Sequence, residues 1–179
     1  MKRIIVTYGI ISGIIVAVLM FLTMPLWDSG VVNFGNGMVV GYTTMVIALS
    51  LIFFAIRSYR DNVNGGAITF WKGMQIGLVI TLIASVMYAL AWEVCYNTVA
   101  SDFIDHMNEY RLKELTEAGG SAEEVEKMKT EMAEFEVMYS NPVIRFAFSM
   151  LEIFPVGLII SLISSGLLRK REFLPSSTA

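Results

Sequence analysis

Four stretches of the chain, 4–24, 38–56, 74–92 and 143–168, reach or approach the roughly 20 apolar residues that cross a bilayer core. The first three contain no Asp, Glu, Lys or Arg, and the fourth contains only Arg145 and Glu152. A segment of this kind hides its backbone polar groups by becoming a helix, because hydrocarbon supplies no hydrogen-bond partners. Composition agrees. The 179 residues are 55% hydrophobic and 16% charged, against about 25% charged in a soluble domain. So much apolar surface suits lipid and not a water-soluble globule. The expected fold class is all-α: a four-helix transmembrane bundle with spans at about 4–26, 38–57, 70–97 and 142–168.

Lys2 and Arg3 precede the first stretch and mimic a secretory leader. Its apolar run is too long for a leader and no small-x-small cleavage pattern follows, so it reads as a retained helix. With four crossings, Lys2, Arg3, Arg57, Arg60, Lys72, Arg169, Lys170 and Arg171 share one side. Arg111, Lys113, Lys127, Lys129 and Arg145 fall on the other, among a larger set of acids running from Asp28 to Glu136. The positive-inside rule then assigns both termini to the cytoplasm and the 98–141 segment to the outside. The expected setting is a bacterial inner membrane, with the lipid bilayer as first partner and no nucleic acid.

The segment between the third and fourth spans has its own pattern. No Pro or Gly occurs between Leu78 and Ala118, so one helix is expected to run out of the membrane into solvent, with Phe103, Met107 and Tyr110 along one face. Gly119 and Gly120 end it. Ser121 then opens a new helix with Glu124 in a capping box. Val125, Met128, Met132, Phe135 and Tyr139 follow at heptad spacing. Asn141 and Pro142 start the last crossing. The arms 101–118 and 122–139 match in length, about 27 Å each. They predict an extracytoplasmic antiparallel helical hairpin with facing apolar seams and a strongly acidic exterior, a possible protein-partner surface. Pro25 is expected to stop the first helix. "DSGVVNFGNG" (28–37) is expected to form a turn-rich outer loop. "GIISG", "GMVVG" and "GMQIG" are small-xxx-small packing motifs.

No catalytic motif, phosphate loop or nucleophile–base pair is present, so no cofactor and no enzyme activity are expected. Cys95 is alone and forms no internal disulfide. His106 has Asp102 and Glu109 on its helix face, a set that lacks the nitrogen and sulfur ligands of a tight metal site. The informative charges lie in the spans. Measured from the basic anchors, Glu93 and Arg145 reach the outer edge of the core, and Glu152 lies about one turn deeper. Glu93, Arg145, Glu152 and Pro155, whose missing N–H frees the Leu151 carbonyl, form a candidate intramembrane polar cluster. Two readings follow: a clamp in which Arg145, tyrosine hydroxyls and freed backbone neutralise the acids, or an outward-opening proton or cation site on Glu152 and Glu93.

Three segments, "GYTTMVIALSLIFFAIRSYRDN" (41–62), "GGAITFWKGMQIGLVITLIASVMYALAW" (65–92) and "EIFPVGLIISLISSGLLRKR" (152–171), resemble the bacterial DUF4199 family of membrane proteins. The resemblance covers nearly the whole chain. It implies the membrane topology, and it implies no activity, substrate or site, because the family is a domain of unknown function.

Overall fold

The computed structural model describes residues 1–169 and Leu174; Lys170 and Arg171, counted above among the basic residues of one side, lie outside the described residues. Among the described residues, seven helices follow in order: α1 (Lys2–Asp28), α2 (Gly37–Leu49), α3 (Leu51–Asn62), α4 (Phe70–Thr98), α5 (Phe103–Glu117), α6 (Ala122–Tyr139) and α7 (Pro142–Leu168). Four helical segments among them are long and apolar enough to cross a membrane: Lys2–Trp27, Gly37–Asn62, Phe70–Thr98 and Pro142–Leu168.

Local chemistry explains most boundaries. Thr69 caps α4 by accepting from the Lys72 N–H at 3.3 Å. Asn141 caps α7 by accepting from the Val143 N–H at 2.9 Å, with Pro142 at the first helical position. α5 ends in a Schellman motif: the Gly120 N–H reaches Leu115 O at 2.9 Å and the Gly119 N–H reaches Thr116 O at 3.1 Å. Gly119 has φ +81°, a conformation costly for any residue with a Cβ. The Ser121 capping box is complete, with Ser121 N–H on Glu124 Oε2 at 2.7 Å and Glu124 N–H on Ser121 Oγ at 3.3 Å. Those bonds hold the Glu124 carboxyl below the usual carboxylate range.

Three boundaries differ from expectation. Pro25 sits inside α1, which continues to Asp28. One missing N–H so near a helix end removes a single bond, and the Ser29 N–H still donates to Pro25 O at 3.1 Å. The second crossing is two helices that meet at Ser50. The Ser50 hydroxyl donates to Ile47 O at 2.7 Å, and the Phe53 N–H reaches back only three residues, to Ser50 O at 3.0 Å. The helix after Leu78 stops at Thr98 instead of running into solvent. Asn97 and Thr98 turn their side chains back onto Glu93 O and Val94 O, and the Val99 and Ala100 N–H groups both crowd onto Cys95 O. Such residues compete with the helix for its own hydrogen bonds, so no Pro or Gly is required to break it.

α4 is the hub of the bundle, packed along α7 on one side and α1 on the other. Small residues set the α4–α7 approach. A Cβ at Gly73 would stand 2.7 Å from Ser165 Oγ, one at Gly77 2.7 Å from Ser161 Cβ, and one at Gly157 2.9 Å from Thr81 Cβ. Association of apolar helices in lipid rests on this close van der Waals packing, since lipid tails are as apolar as the side chains. Gly9 and Gly13 of "GIISG" meet Ile83 and Met87 of α4 in the same way. "GMVVG" differs. Gly37 packs on the Trp27 ring, whereas nothing lies within 4 Å of a Cβ at Gly41. Gly37 thereby joins the α1–α2 contact, while Gly41 faces open space.

Candidate functional site

Glu93 and Arg145 meet where α4 ends and α7 begins. Glu93 lies in the last turns of α4 and Arg145 in the first turns of α7. The α4–α7 seam and the Asn141 cap bring the two to one level. Arg145 grips Glu93 with two parallel bonds, Nε to Oε1 at 2.9 Å and Nη2 to Oε2 at 2.6 Å. Its remaining terminal nitrogen, Nη1, donates to the Tyr139 carbonyl at 3.2 Å. Tyr139 is the last residue of α6, so a cation meets the negative end of that helix. The guanidinium lies 4.0 Å from the Tyr96 ring centroid, a cation–π distance. Arg145 is 4% exposed. A buried charge is tolerable only when paired and hydrogen-bonded, and this one is both.

Aromatic side chains extend the clamp in two directions. Towards α6, the Trp92 indole N–H donates to Tyr139 Oη at 2.8 Å, while the Phe135, Tyr139 and Phe148 rings contact one another at 5.4–6.3 Å. Burial pushes the Tyr139 hydroxyl up to about 12, so it stays protonated and can accept the indole proton at neutral pH. Towards α5, Phe103 sits 5.2 Å from Trp92, 6.2 Å from Trp27 and 5.4 Å from Phe34, and Phe34 in turn meets Tyr110 at 5.7 Å. Phe103 and Tyr110 were expected to face α6. They pack instead on the α1 end and the 29–36 loop. Apolar periodicity identifies the buried face of α5 without choosing its partner, and Trp27 and Phe34 offer more aromatic surface than the methionines of α6.

Glu152 stands apart from the clamp. Its Oε2 accepts from the Tyr88 hydroxyl of α4 at 3.0 Å, and the residue as a whole is exposed on the flank of the bundle. The acids are thus held in two separate pairs, Arg145–Glu93 and Tyr88–Glu152, the second by a tyrosine hydroxyl. Pro155 lies within α7, which continues unbroken around it. His106 meets only Asp102, at 3.8 Å on an exposed face. Among the described residues, no three His, Cys, Asp or Glu are placed to hold a metal ion.

A second buried arginine escaped the sequence reading. Arg60, counted there among the basic residues of one side, is 1% exposed. Its Nε donates to Asp61 Oδ1 at 2.6 Å, and its terminal nitrogens reach Leu168 O at 3.5 Å and Leu174 O at 2.5 Å. It thereby closes the C-terminal end of α7, the favourable place for a cation. The neighbouring Asp61 was the available sequence signal. Both ends of α7 are thus held by a buried guanidinium, Arg145 from within its first turns and Arg60 from α3.

Comparison with curated proteins and with solved structures returns no match. The model of the family described as Protein of unknown function (DUF4199) matches residues 7–170, and the chain belongs to that family.

Proposed function

We propose that this is a non-enzymatic inner-membrane protein that presents α5 and α6, as an extracytoplasmic helical hairpin, to a protein partner. The observation that carries the reading is the Arg145–Glu93 clamp. A buried bidentate pair and an aromatic cluster fix a highly charged helical pair to a membrane bundle, which is costly to build for a segment that merely links two spans. Rigid presentation lowers the entropy lost when a partner binds. The charge asymmetry supports the orientation: Lys2, Arg3, Arg57, Lys72 and Arg169 lie at one end of the helices and the acidic arms at the other.

Topology tests it first. Ser121→Cys is exposed at the tip between α5 and α6, whereas native Cys95 is buried. A membrane-impermeant maleimide should label the variant once the outer membrane is breached and the inner membrane is intact. Labelling that requires disruption of the inner membrane would place the hairpin in the cytoplasm and end the proposal.

The Tyr88–Glu152 pair favours a second reading, a small proton- or cation-linked transporter using Glu152 and Glu93. Against it, the α4–α7 seam beyond Glu152 is closed by glycine–hydroxyl contacts, with the Thr81 and Ser161 hydroxyls bonded back to their own helices. In proteoliposomes, Glu152→Gln is expected to leave ion flux at the background of empty vesicles, as in the unmodified protein. A pH-dependent flux in the unmodified protein that this substitution abolishes would favour transport.

A further inference from the structure

α5 and α6 contact each other and also rest on different parts of the bundle, and a groove of about 700 Å³ lies between them. That volume falls within the range of ligand pockets, about 300–1,000 Å³. Leu115, Met128, Met132 and Phe135 supply its apolar surface. Methionines adapt to the shape of an incoming apolar chain. Glu114 and Glu131 stand on the two sides, with Arg111 the basic residue among the lining. Asn108 also lines the groove, and its buried Oδ1 accepts no hydrogen bond. An unmet acceptor of that kind calls for an N–H donor.

We infer that this groove receives an amphipathic, positively charged helical segment of a partner protein. The inference rests on the docking role proposed above and specifies its chemistry. A helix laid along two others buries residues at i, i+3, i+4 and i+7 on the apolar floor, the helix-in-groove mode of recognition. Charge selects the occupant. From Asp102 to Glu136 there are eleven acidic side chains against four basic ones, a net charge of −7 with His106 neutral. The Lys113–Glu117, Lys127–Glu131 and Lys129–Glu126 pairs are long, at 3.8–3.9 Å, and solvent-exposed, so the acids are weakly neutralised. A second copy of this hairpin brings the same negative field and is repelled. A cationic helix is drawn in, and its lysine or arginine N–H groups can meet Glu114, Glu131 and Asn108.

The test uses the full chain in phosphatidylcholine nanodiscs. The probes are two fluorescent peptides of about 16 residues, long enough to form helix, with leucine at the i, i+3, i+4, i+7 positions and either lysine or glutamate elsewhere. The leucine–lysine peptide should bind saturably by anisotropy and the leucine–glutamate peptide should not. Glu114→Gln combined with Glu131→Gln should weaken binding about fivefold, in line with two exposed charge contacts. Met132→Lys should abolish it; if that variant fails to fold, the surface pair still decides. Equal binding of both peptides, or binding unchanged in the folded variants, overturns the inference. A photocrosslinker at Lys129 in native membranes separates it from the docking proposal. A partner crosslinked through an acidic segment overturns the cationic groove and leaves docking standing. No crosslinked partner along either arm, together with no peptide binding, removes both.

Discussion

Arg145→Leu is expected to lower the unfolding free energy of the protein by about 3–5 kcal/mol, the usual cost of stranding one member of a buried ion pair. Glu93 would lose both bonds to its partner, and the Tyr139 carbonyl would lose its donor. Arg145→Lys should recover only part of the loss, because an ammonium cannot make two parallel bonds to one carboxylate while also reaching Tyr139 O. The double variant Arg145→Leu/Glu93→Leu should be more stable than Arg145→Leu alone, since no unpaired charge remains. Denaturation in mild detergent measures all three. Additive losses in the double variant would mean that the two side chains are not energetically coupled.

Gly157→Leu should be at least as damaging, by a different route. A Cβ at Gly157 already meets the Thr81 side chain, so α4 and α7 would have to separate to admit the rest of a leucine. Overpacking a dense interface costs typically about 1–3 kcal/mol. Here separation would also pull Arg145 away from Glu93, and the two losses should compound. Gly41→Leu is the matched control, because nothing lies within 4 Å of a Cβ at that site. Reduced folded yield and a lower melting temperature for Gly157→Leu, with Gly41→Leu unchanged, is the expected result. Equal behaviour of the two would show that the α4–α7 seam tolerates separation.

Local features were legible in the sequence because their causes are local. Ser121, Asn141 and the Gly119–Gly120 pair each satisfy or release backbone groups within a few residues. That Glu93 and Arg145 stand at one level was legible too, since helical rise converts sequence distance into height. Which acid Arg145 takes was not. Depth says nothing about the direction a side chain faces around its helix, and the fork closes on Glu93 while Glu152 finds Tyr88. Arg60 shows the same limit. Its burial depends on the end of α7, more than a hundred residues away, and "RSYRDN" alone resembles a solvated helix end. The apolar face of α5 was visible as periodicity, but Trp27 and Phe34, remote in sequence, outcompeted α6 for it. The break at Val99 was hidden for another reason. It comes from competing side-chain bonds of Asn97 and Thr98 and not from the stronger punctuation of Pro or Gly.

The central claim is that α5 and α6 are anchored separately to the bundle and so hold a groove open between them. Hydrogen exchange in nanodiscs tests it most directly, on Arg145→Leu beside Trp27→Ala. Loss of Arg145 should speed exchange along α6 while α5 keeps its protection. Loss of Trp27, which removes the aromatic seat of Phe103, should speed exchange along α5 while α6 keeps its own. Loss of protection in both arms together, in either variant, would show that the arms are held chiefly by each other and would contradict the account.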